Sequence, residues 1–469
     1  MWDDHTLIVD RLAQLDAAGI AALWTHPVGG GQAGGGYFRP LAVTLLAVLG
    51  RHGVFAIHLA IAGLHAVSAG LVCALSGRDR LALLGAALFA VHPLCAEVLG
   101  WASALPDALS VALGLTALHL ARRSRHIVVV VTVFVLSVLS KEAGIVWPVV
   151  GFVAGWLDRR SSLAAGLAVA LVLALRPLLG VEAAALVSLD PSELLGAPLS
   201  QLGTLLWPLP LSAVRDTHHL GMLGVELGAL VVAAVLFAAG HFRRPLAGPA
   251  LGLLAGPCLA LPTVLTSHLA ADRYVYLSVA CLGLLVGTFP RSVKLRRRLA
   301  ARSTVWGGGV LVVLVASVHV DAAEMWRSDV ALFERAVEVR PSSSYSHYFA
   351  GHAQAKAGDF HLAADHFEAA SSLSHAHPRA AGFALQAMVR AGEATRAVDF
   401  ARSRPKDGLT AEWIAWWAQA ELDAGHAQQA QSLVVKLRRD DGSWDGPPFV
   451  PDLAEQARQQ AQSSGGSGD

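Results

Sequence analysis

The sequence predicts an all-α protein in which a polytopic bundle of membrane helices is followed by a short α-solenoid. Of the 469 residues, 54% are hydrophobic and only 15% are charged, and the mean hydropathy of +0.51 lies outside the range of soluble globular proteins. After Val320 the apolar segments give way to Ala-rich, charged and amphipathic sequence, which is typical of helices that pack against one another in water.

The apolar segments are long enough to cross a bilayer. A span needs roughly 20 apolar residues, because the hydrocarbon core is about 30 Å thick and a helix rises about 1.5 Å per residue. We predict ten spans, at about 54–75, 81–99, 104–121, 126–140, 143–157, 162–180, 220–240, 246–265, 272–289 and 303–320. The fourth and fifth form one apolar stretch interrupted by Ser140, Lys141 and Glu142, too long for one span and short for two.

Basic residues indicate the orientation of the spans, because Lys and Arg in short loops remain in the cytoplasm. Alternate loops are basic; they hold Arg78 and Arg80, then Arg122, Arg123 and Arg125, then Arg159 and Arg160, then Arg243 and Arg244, and then Arg291, Lys294, Arg296, Arg297, Arg298 and Arg302. The intervening connections carry only isolated cations: Arg11, Arg39, Arg51, Lys141, Arg176, Arg215 and Arg273. We therefore predict that residues 1–53, 92–103, 140–143, 181–219, 266–272 and 321–469 lie outside the cytoplasm.

This orientation puts residue 1 on the outer face. No signal peptide opens the sequence, since Trp2, Asp3 and Asp4 follow Met1 at once. A chain does not easily begin outside without a signal or an earlier span, so we expect a first transmembrane helix to be missing from this sequence.

A repeat follows the last span. Gly358, Gly392 and Gly425 lie 34 and 33 residues apart, each five residues before an alanine, and this spacing matches the tetratricopeptide repeat (TPR). The residues expected to pack the second helix of a repeat on the first include Phe367, Ala370 and Phe400. We predict a membrane domain at 1–320, a TPR domain at 321–460 with a half-repeat at 326–341, and a disordered polar tail at 461–469.

Ionisable residues collect in the connections predicted outside and at the adjoining ends of the spans. Charged groups at membrane depth are costly and usually face a functional cavity. The candidates, in chain order, are Asp3, Asp4, Arg39, His92, Glu97, Asp107, Lys141, Glu142, Arg273 and Tyr274. His58 and His65 share one face of the first predicted span, where we interpret them as packed, hydrogen-bonded residues.

Each candidate also has a purely structural interpretation. Asp3 and Asp4 suit a solvated helix cap, Lys141 and Glu142 suit a local ion pair in a turn, and Arg273 suits a side chain that snorkels to the headgroups. All these residues fall on one predicted side of the membrane, and that side is assigned from the basic loops, not from these residues. This coincidence favours a functional interpretation.

Several motifs occur in a fixed order. They are Asp3-Asp4, Tyr37-Phe38-Arg39-Pro40-Leu41, His58 with Leu64-His65, His92-Pro93 with Glu97, Trp101 and Asp107, Ser140-Lys141-Glu142, Asp272-Arg273-Tyr274-Val275-Tyr276-Leu277, and Trp326 through Leu332-Phe333. With the repeats behind them, these motifs resemble the transmembrane and TPR-containing (TMTC) O-mannosyltransferases and their bacterial relatives, which have the GT-C glycosyltransferase architecture.

The resemblance implies a membrane enzyme that transfers a mannose-like sugar, with inversion, from a polyprenyl-phosphate donor to an acceptor on the extracytoplasmic face. It implies that Asp3 or Asp4 is the general base that takes the acceptor hydroxyl proton. The leaving phosphate needs fixed cations, for which Arg39, Lys141 and Arg273 are the candidates, Arg273 first. His92, Glu97, Asp107, Glu142 and Tyr274 are further site candidates. The expected location is a bacterial plasma membrane.

The chain departs from the family pattern at two positions: Gly63 stands where the family usually has Asn, and Leu105 stands where it usually has Arg. Loss of that arginine removes one phosphate ligand. A second reading is therefore a non-catalytic, membrane-anchored TPR scaffold for envelope protein assembly. A transporter is less favoured, because no pair of Gly- or Pro-broken spans recurs in two halves.

The expected partners are a lipid-linked sugar, a peptide or protein acceptor on the TPR groove, and the bilayer. With a net charge of +1, no large basic surface indicates nucleic acid. No cofactor is implied, and a divalent metal is not indicated, because Asp3 and Asp4 alone make a poor octahedral site. The cysteines, Cys73, Cys95, Cys258 and Cys281, lack metal-ligand spacing and are interpreted as core residues.

Overall fold

The structure is a computed structural model that describes residues 5–28, 37–123, 126–179, 191–217, 222–241, 244–267, 269–288, 302–404 and 409–465. The chain divides into two compact units, Met1–Ser328 and Asp329–Asp469, which we call the N-terminal unit and the C-terminal unit. The described residues are mostly helical, with two short antiparallel strands, β1 (Arg215–Asp216) and β2 (Leu269–Ala270). The prediction of an all-α protein is confirmed.

The helices of the N-terminal unit are α1 (Ala17–Ala22), α2 (Pro40–Gly50), α3 (Val54–Ser76), α4 (Arg80–Val91), α5 (Ala96–Gly100), α6 (Leu105–Arg123), α7 (Ile127–Ser140), α8 (Val146–Val153), α9 (Arg159–Leu178), α10 (Pro191–Thr204), α11 (Met222–His241), α12 (Arg244–Ser267), α13 (Tyr276–Thr288) and α14 (Arg302–Met325). A π-helical turn occurs at His5–Val9, and 3-10 turns occur at Leu12–Gln14, Pro93–Cys95, Ala102–Ala104, Glu142–Ile145 and Asp272–Val275.

Several of these helices suit a membrane. Within the described residues, four helices are long and apolar enough to cross one: α3, α6 with the turn before it, α9, and Trp306–Met325 of α14. Inside the protein, only 11% of the apolar window of α9 and 6% of that of α14 is buried. Apolar surface of this extent is unfavourable in water and favourable in lipid. The helices therefore support the prediction of a membrane protein.

The other predicted spans are shorter or broken. Segment 81–99 becomes α4 and Pro93–Gly100, which meet at a bend of 51°, because Pro93 follows His92, whose backbone is extended. Segments 126–140 and 143–157 form separate helices, α7 and α8, of 14 and 8 residues, with an extended residue, Lys141, between them. These breaks place polar residues at helix ends, where backbone groups and side chains are free to face a cavity.

Small residues allow the helices to approach closely. A Cβ on Gly85 of α4 would lie 2.2 Å from the carbonyl oxygen of Gly283 in α13, and a Cβ on Gly114 of α6 would lie 1.9 Å from the Trp147 ring. Backbone contact of this kind is common where helices pack in a membrane. It sets α13 directly against α4 at the centre of the unit.

The C-terminal unit consists of α15 (Asp329–Val339), α16 (Ser344–Ala357), α17 (Phe360–Ser372), α18 (Ala380–Arg390), α19 (Ala394–Ser403), α20 (Ala411–Asp423), α21 (Ala427–Val435) and α22 (Val450–Gly465). Each helix packs on the next one along the chain. Phe367, Ala370 and Phe400 are buried, as the repeat pattern predicts. Alanine is the commonest residue of the core, with leucine, valine and aromatic side chains between the alanines, and this lets short helices pack closely.

Three turns of the C-terminal unit share one geometry. Gly358, Gly392 and Gly425 have φ of +90°, +77° and +83°, and the residue after each begins the next helix with φ between −86° and −89°. Glycine is favoured at such left-handed positions because it has no Cβ. The 34- and 33-residue spacing of the sequence is thus a spacing of equivalent helix–turn–helix connections.

Two predicted boundaries differ from the observed ones. The boundary at 320/321 lies within α14, and the contacts divide the chain after Ser328 instead. The segment 461–469, predicted as disordered, begins inside α22, because Gln460, Ala461 and Gln462 favour the helix they follow. Residues 466–469 lie outside the described residues.

Candidate functional site

The candidate residues lie where helices begin, end or break. Arg39 precedes α2, Glu97 is in α5, and Asp107 is in the first turn of α6. Lys141 and Glu142 occupy the break between α7 and α8, and Arg273 and Tyr274 form the turn before α13. The fold brings these separate segments together into three ion pairs.

The first pair joins Arg39 to Glu142, 103 residues apart. The Arg39 guanidinium donates two hydrogen bonds, from Nε to Oε2 and from Nη2 to Oε1 of Glu142, each 2.9 Å long. It also lies 5.0 Å from the Tyr37 ring centroid. Arg176, near the end of α9, places Nη2 3.8 Å from the same Oε1. Glu142 is therefore shared by two arginines.

The second pair joins Lys141 to Asp107, with Nζ donating to Oδ1. Only 12% of the Lys141 side chain and 8% of that of Asp107 are exposed, and Nζ lies 5.6 Å from the Tyr274 ring centroid. The expected local ion pair between Lys141 and Glu142 is wrong. Lys141 is extended, with φ −158° and ψ 140°, so consecutive side chains point in different directions.

The third pair joins Arg273 to Glu97, 176 residues apart. Nη1 of Arg273 donates to Oε1 of Glu97, and the Arg273 backbone N–H donates to Oε2 at 3.1 Å. The guanidinium carbon lies 4.4 Å from the Trp101 ring and 4.8 Å from the Tyr274 ring. With 18% of its side chain exposed, Arg273 does not snorkel towards solvent; a buried carboxylate and two aromatic rings hold it.

A fourth pair was not predicted. Nε of Arg215 donates to Oδ1 of Asp272 at 2.8 Å, and the pairing of β1 with β2 brings the two residues together. Sequence reasoning named Arg215 and Arg176 only as isolated cations of outer connections. Arg176 is a single charge in apolar sequence, and this is the signal that could have marked it as a site residue. Arg215 has Asp216 directly beside it and offers no such signal.

Electrostatic interactions join the pairs into one group. Arg39 and Arg273 both interact with Asp107, Lys141 interacts with both arginines, and Glu97 interacts with Asp272. We call the group the charge cluster; it comprises Arg39, Glu97, Asp107, Lys141, Glu142, Arg176, Arg215, Asp272 and Arg273. It holds five basic and four acidic side chains, a net charge of +1 with all of them ionised.

His92 does not join these ion pairs. Its Nδ1 accepts a hydrogen bond from the Leu94 N–H at 3.3 Å, and its Nε2 lies 3.3 Å from the Leu205 carbonyl oxygen. The side chain thus caps the turn at the bend after α4. His58 and His65 also bond to neighbouring groups, His58 to the Leu99 carbonyl and His65 to the Tyr276 hydroxyl and the Ala90 carbonyl.

Two further expectations concern Asp3 with Asp4, and Leu105. Asp3 and Asp4, the predicted general base, lie outside the described residues. Leu105, which stands where the family usually has Arg, is fully buried at the start of α6. Among the described residues, no three His, Cys, Asp or Glu side chains are grouped so that they could hold a metal ion.

An apolar cavity of about 550 Å³ lies in the same unit. It is lined by Leu206 and by leucine, valine and alanine side chains of α11, α12 and α13. Helix α13 begins at Tyr276, directly after the turn that holds Arg273 and Tyr274, and carries Leu282, Leu285 and Val286 on the cavity wall. One helix therefore links the charge cluster to an apolar space.

Comparisons with protein families, with characterised proteins and with solved structures find no match to this chain.

Proposed function

We propose that the protein is a TMTC-like membrane glycosyltransferase of GT-C type, which transfers a mannose-like sugar from a polyprenyl phosphate to a protein or glycan acceptor on the extracytoplasmic face of a bacterial plasma membrane. The observation that carries the proposal is the charge cluster. Candidates chosen from five separate segments of the sequence form ion pairs with one another at helix ends. A bundle that only anchored a scaffold would not need them.

The chemistry of the cluster suits a phosphate leaving group. A sugar phosphate carries negative charge that grows as the glycosidic bond breaks, and fixed cations stabilise that charge. Arg39, Lys141 and Arg273 are held in place by carboxylates and aromatic rings, so they need little reorganisation during the reaction. The excess of one positive charge favours an anionic ligand.

The apolar cavity suits the lipid part of such a donor. Its walls are almost entirely aliphatic, as a prenyl chain requires. Because α13 runs from Tyr276, next to the turn that holds Arg273, to this cavity, a phosphate bound near Arg273 and a chain lying along α13 are compatible with one ligand.

The C-terminal unit supports the second half of the proposal. Its equivalent glycine turns and successive helix packing are the features of a TPR solenoid. Solenoids of this type offer extended surfaces for peptides, so we assign the peptide or protein acceptor to this unit. The GT-C and TPR assignments, the outer location and the role of Asp3 or Asp4 as general base all belong to the proposal.

A non-catalytic scaffold is the alternative, and Leu105 favours it. A fully buried leucine cannot replace an arginine that binds phosphate. This alternative predicts that the fold and the C-terminal unit persist while no sugar is transferred.

Sugar transfer by the purified full chain decides between the two. Incubation with polyprenyl-phosphate mannose and an acceptor peptide should give a glycosylated product, and Asp3→Asn or Asp4→Asn should lower the rate by about 10²–10⁴-fold, the usual contribution of a general base. Asp10→Asn, an exposed aspartate of the same segment, is the matched control and should keep the wild-type rate. Absence of product from every variant and from the wild type supports the scaffold.

A further inference from the structure

At one place in the charge cluster two basic side chains share a single carboxylate. Arg273, Lys141 and Arg215 each donate a hydrogen bond to a carboxylate of their own. Glu142 is the exception, because it accepts two bonds from Arg39 and also faces Arg176. The surplus positive charge of the cluster therefore belongs to the pair of arginines around Glu142.

Arg176 is the less well satisfied of the two. Its Nη2 is 3.8 Å from Oε1 of Glu142, too far for a hydrogen bond. Its Nε is buried and has no hydrogen-bond partner among the described residues, although 19% of the side chain is exposed. Leaving a donor of a charged group unpaired away from water is costly, so a native ligand that accepts from this nitrogen would stabilise the site.

Glu142 occupies the position that such a ligand would take. It binds Arg39 through both oxygens, the same fork geometry by which arginine binds phosphate. Its side chain is 37% exposed, the most exposed carboxylate of the four in the cluster. It is therefore the carboxylate of the cluster that can be displaced with the smallest change in burial.

We propose that Arg176 and Arg39 together bind the phosphate monoester that is released when the sugar leaves the lipid, and that Glu142 occupies this anion site when the ligand is absent. The inference takes the lipid phosphate as ligand from the proposed function, and it adds Arg176 to Arg39, Lys141 and Arg273 as a phosphate contact. One phosphate oxygen accepts from Nε of Arg176, others accept from Arg39, and the Glu142 carboxylate is displaced. No covalent bond changes in this step.

Binding of farnesyl phosphate to the full chain in detergent tests the site. Arg176→Gln should weaken binding about tenfold or more, because it removes hydrogen bonds to a charged group, and Arg176→Lys should recover only part of the loss. Glu142→Gln should strengthen binding severalfold, since it removes the competing carboxylate. Arg160→Gln, at the exposed opposite end of α9, should bind as the wild type does.

The opposite signs of the Arg176 and Glu142 variants separate binding from structure, since a purely structural role would weaken binding in both. Farnesol should bind more weakly than farnesyl phosphate and equally to the wild type and Arg176→Gln, because it lacks the phosphate. Inorganic phosphate that competes as well as farnesyl phosphate would identify free phosphate as the anion, with the same site intact. No binding to the wild type, or equal binding by wild type and Arg176→Gln, overturns the inference. If farnesyl phosphate binds but no sugar is transferred, the anion site is supported and the transferase is refuted. If sugar transfer is unaffected by Arg176→Gln, the transferase is supported and the anion site is refuted.

Discussion

Buried charges at the residue scale depend on their partners. Moving an ion out of water costs several kcal/mol, which is offset only when a partner and further hydrogen bonds are in place. Glu97, 3% exposed, has such partners in the side chain and backbone of Arg273. The cluster is thus a set of interdependent pairs, in which loss of one member exposes its partner to the full cost of burial.

The Arg273–Glu97 pair gives a prediction about stability. Arg273→Met should lower the free energy of unfolding by about 3–5 kcal/mol, because it leaves Glu97 charged and unpaired. The double variant Arg273→Met/Glu97→Gln should recover much of that loss. Unfolding by sodium dodecyl sulfate in mixed micelles measures both. Arg327→Met is the control, since Arg327 forms an exposed pair with Glu324 and should cost at most about 1 kcal/mol. Equal losses for Arg273 and Arg327 would show that Arg273 is not held as the structure describes.

His377 of the C-terminal unit predicts that the stability of this unit depends on pH. Burial, with Arg379 and His352 nearby, lowers the pKa of His377 to about 4, and its ring stacks on Tyr348 with centroids 3.6 Å apart. Since this pKa lies below the unfolded value of about 6.5, the unfolded state binds more protons between these values. Stability should therefore be complete above about pH 6.5 and should fall as pH drops towards 4.

Thermal unfolding of the full chain between about pH 4 and pH 7 checks this dependence, because that range covers the folded and the unfolded pKa of His377. His377→Phe keeps an aromatic ring on Tyr348 and should flatten the pH profile. His361→Phe, at a histidine that is exposed, should leave it steep. A profile unchanged by His377→Phe would assign the dependence to other groups.

At the scale of elements, helix breaks and glycine contacts position the cluster. The extended residue Lys141 ends α7, and the bend at His92–Pro93 turns Glu97 towards Arg273. Close packing of α4 on α13 through Gly85 and Gly283 holds the turn before α13 at that bend. The positions of the charged groups thus depend on small residues that lie outside the cluster.

The glycine contact predicts a packing defect. Gly85→Ala places a Cβ against the backbone of Gly283, where no side chain can give way, and should cost about 1–3 kcal/mol through overpacking. Gly63→Ala in α3 meets no atom within 4 Å, and alanine is the better helix former by about 0.5–1 kcal/mol. It should therefore be neutral or stabilising. Melting temperatures in detergent compare the two, and a tolerant Gly85→Ala would argue against direct contact of α4 with α13.

At the scale of the whole molecule, the chain consists of an apolar helical unit and a polar helical unit. Apolar side chains such as Leu167 and Val313 are 71% and 68% exposed in the first, whereas the second buries an alanine-rich core. The two units are thus suited to different solvents, lipid for one and water for the other.

Topology is the prediction at this scale. The basic loops predict that residues after 320 lie outside the cytoplasm, so a reporter that is active only in the cytoplasm, fused after residue 330, should be silent. A fusion in the loop at Arg159 and Arg160 should be active and serves as the control. Activity of the fusion after residue 330 would reverse the topology and move the proposed site to the cytoplasmic face.

The sequence by itself determined the helical class, the equivalent glycine turns and most members of the cluster, because periodicity, left-handed glycine positions and charges in apolar sequence are local properties. Only the tertiary structure decided which charge meets which. Lys141 and Glu142 are adjacent in the sequence but do not pair with each other: Lys141 pairs with a residue 34 positions away and Glu142 with one 103 positions away. Arg176 shares Glu142 with Arg39 and has no carboxylate of its own in the cluster. Such pairings depend on how helices pack across the unit, and no local pattern encodes that packing.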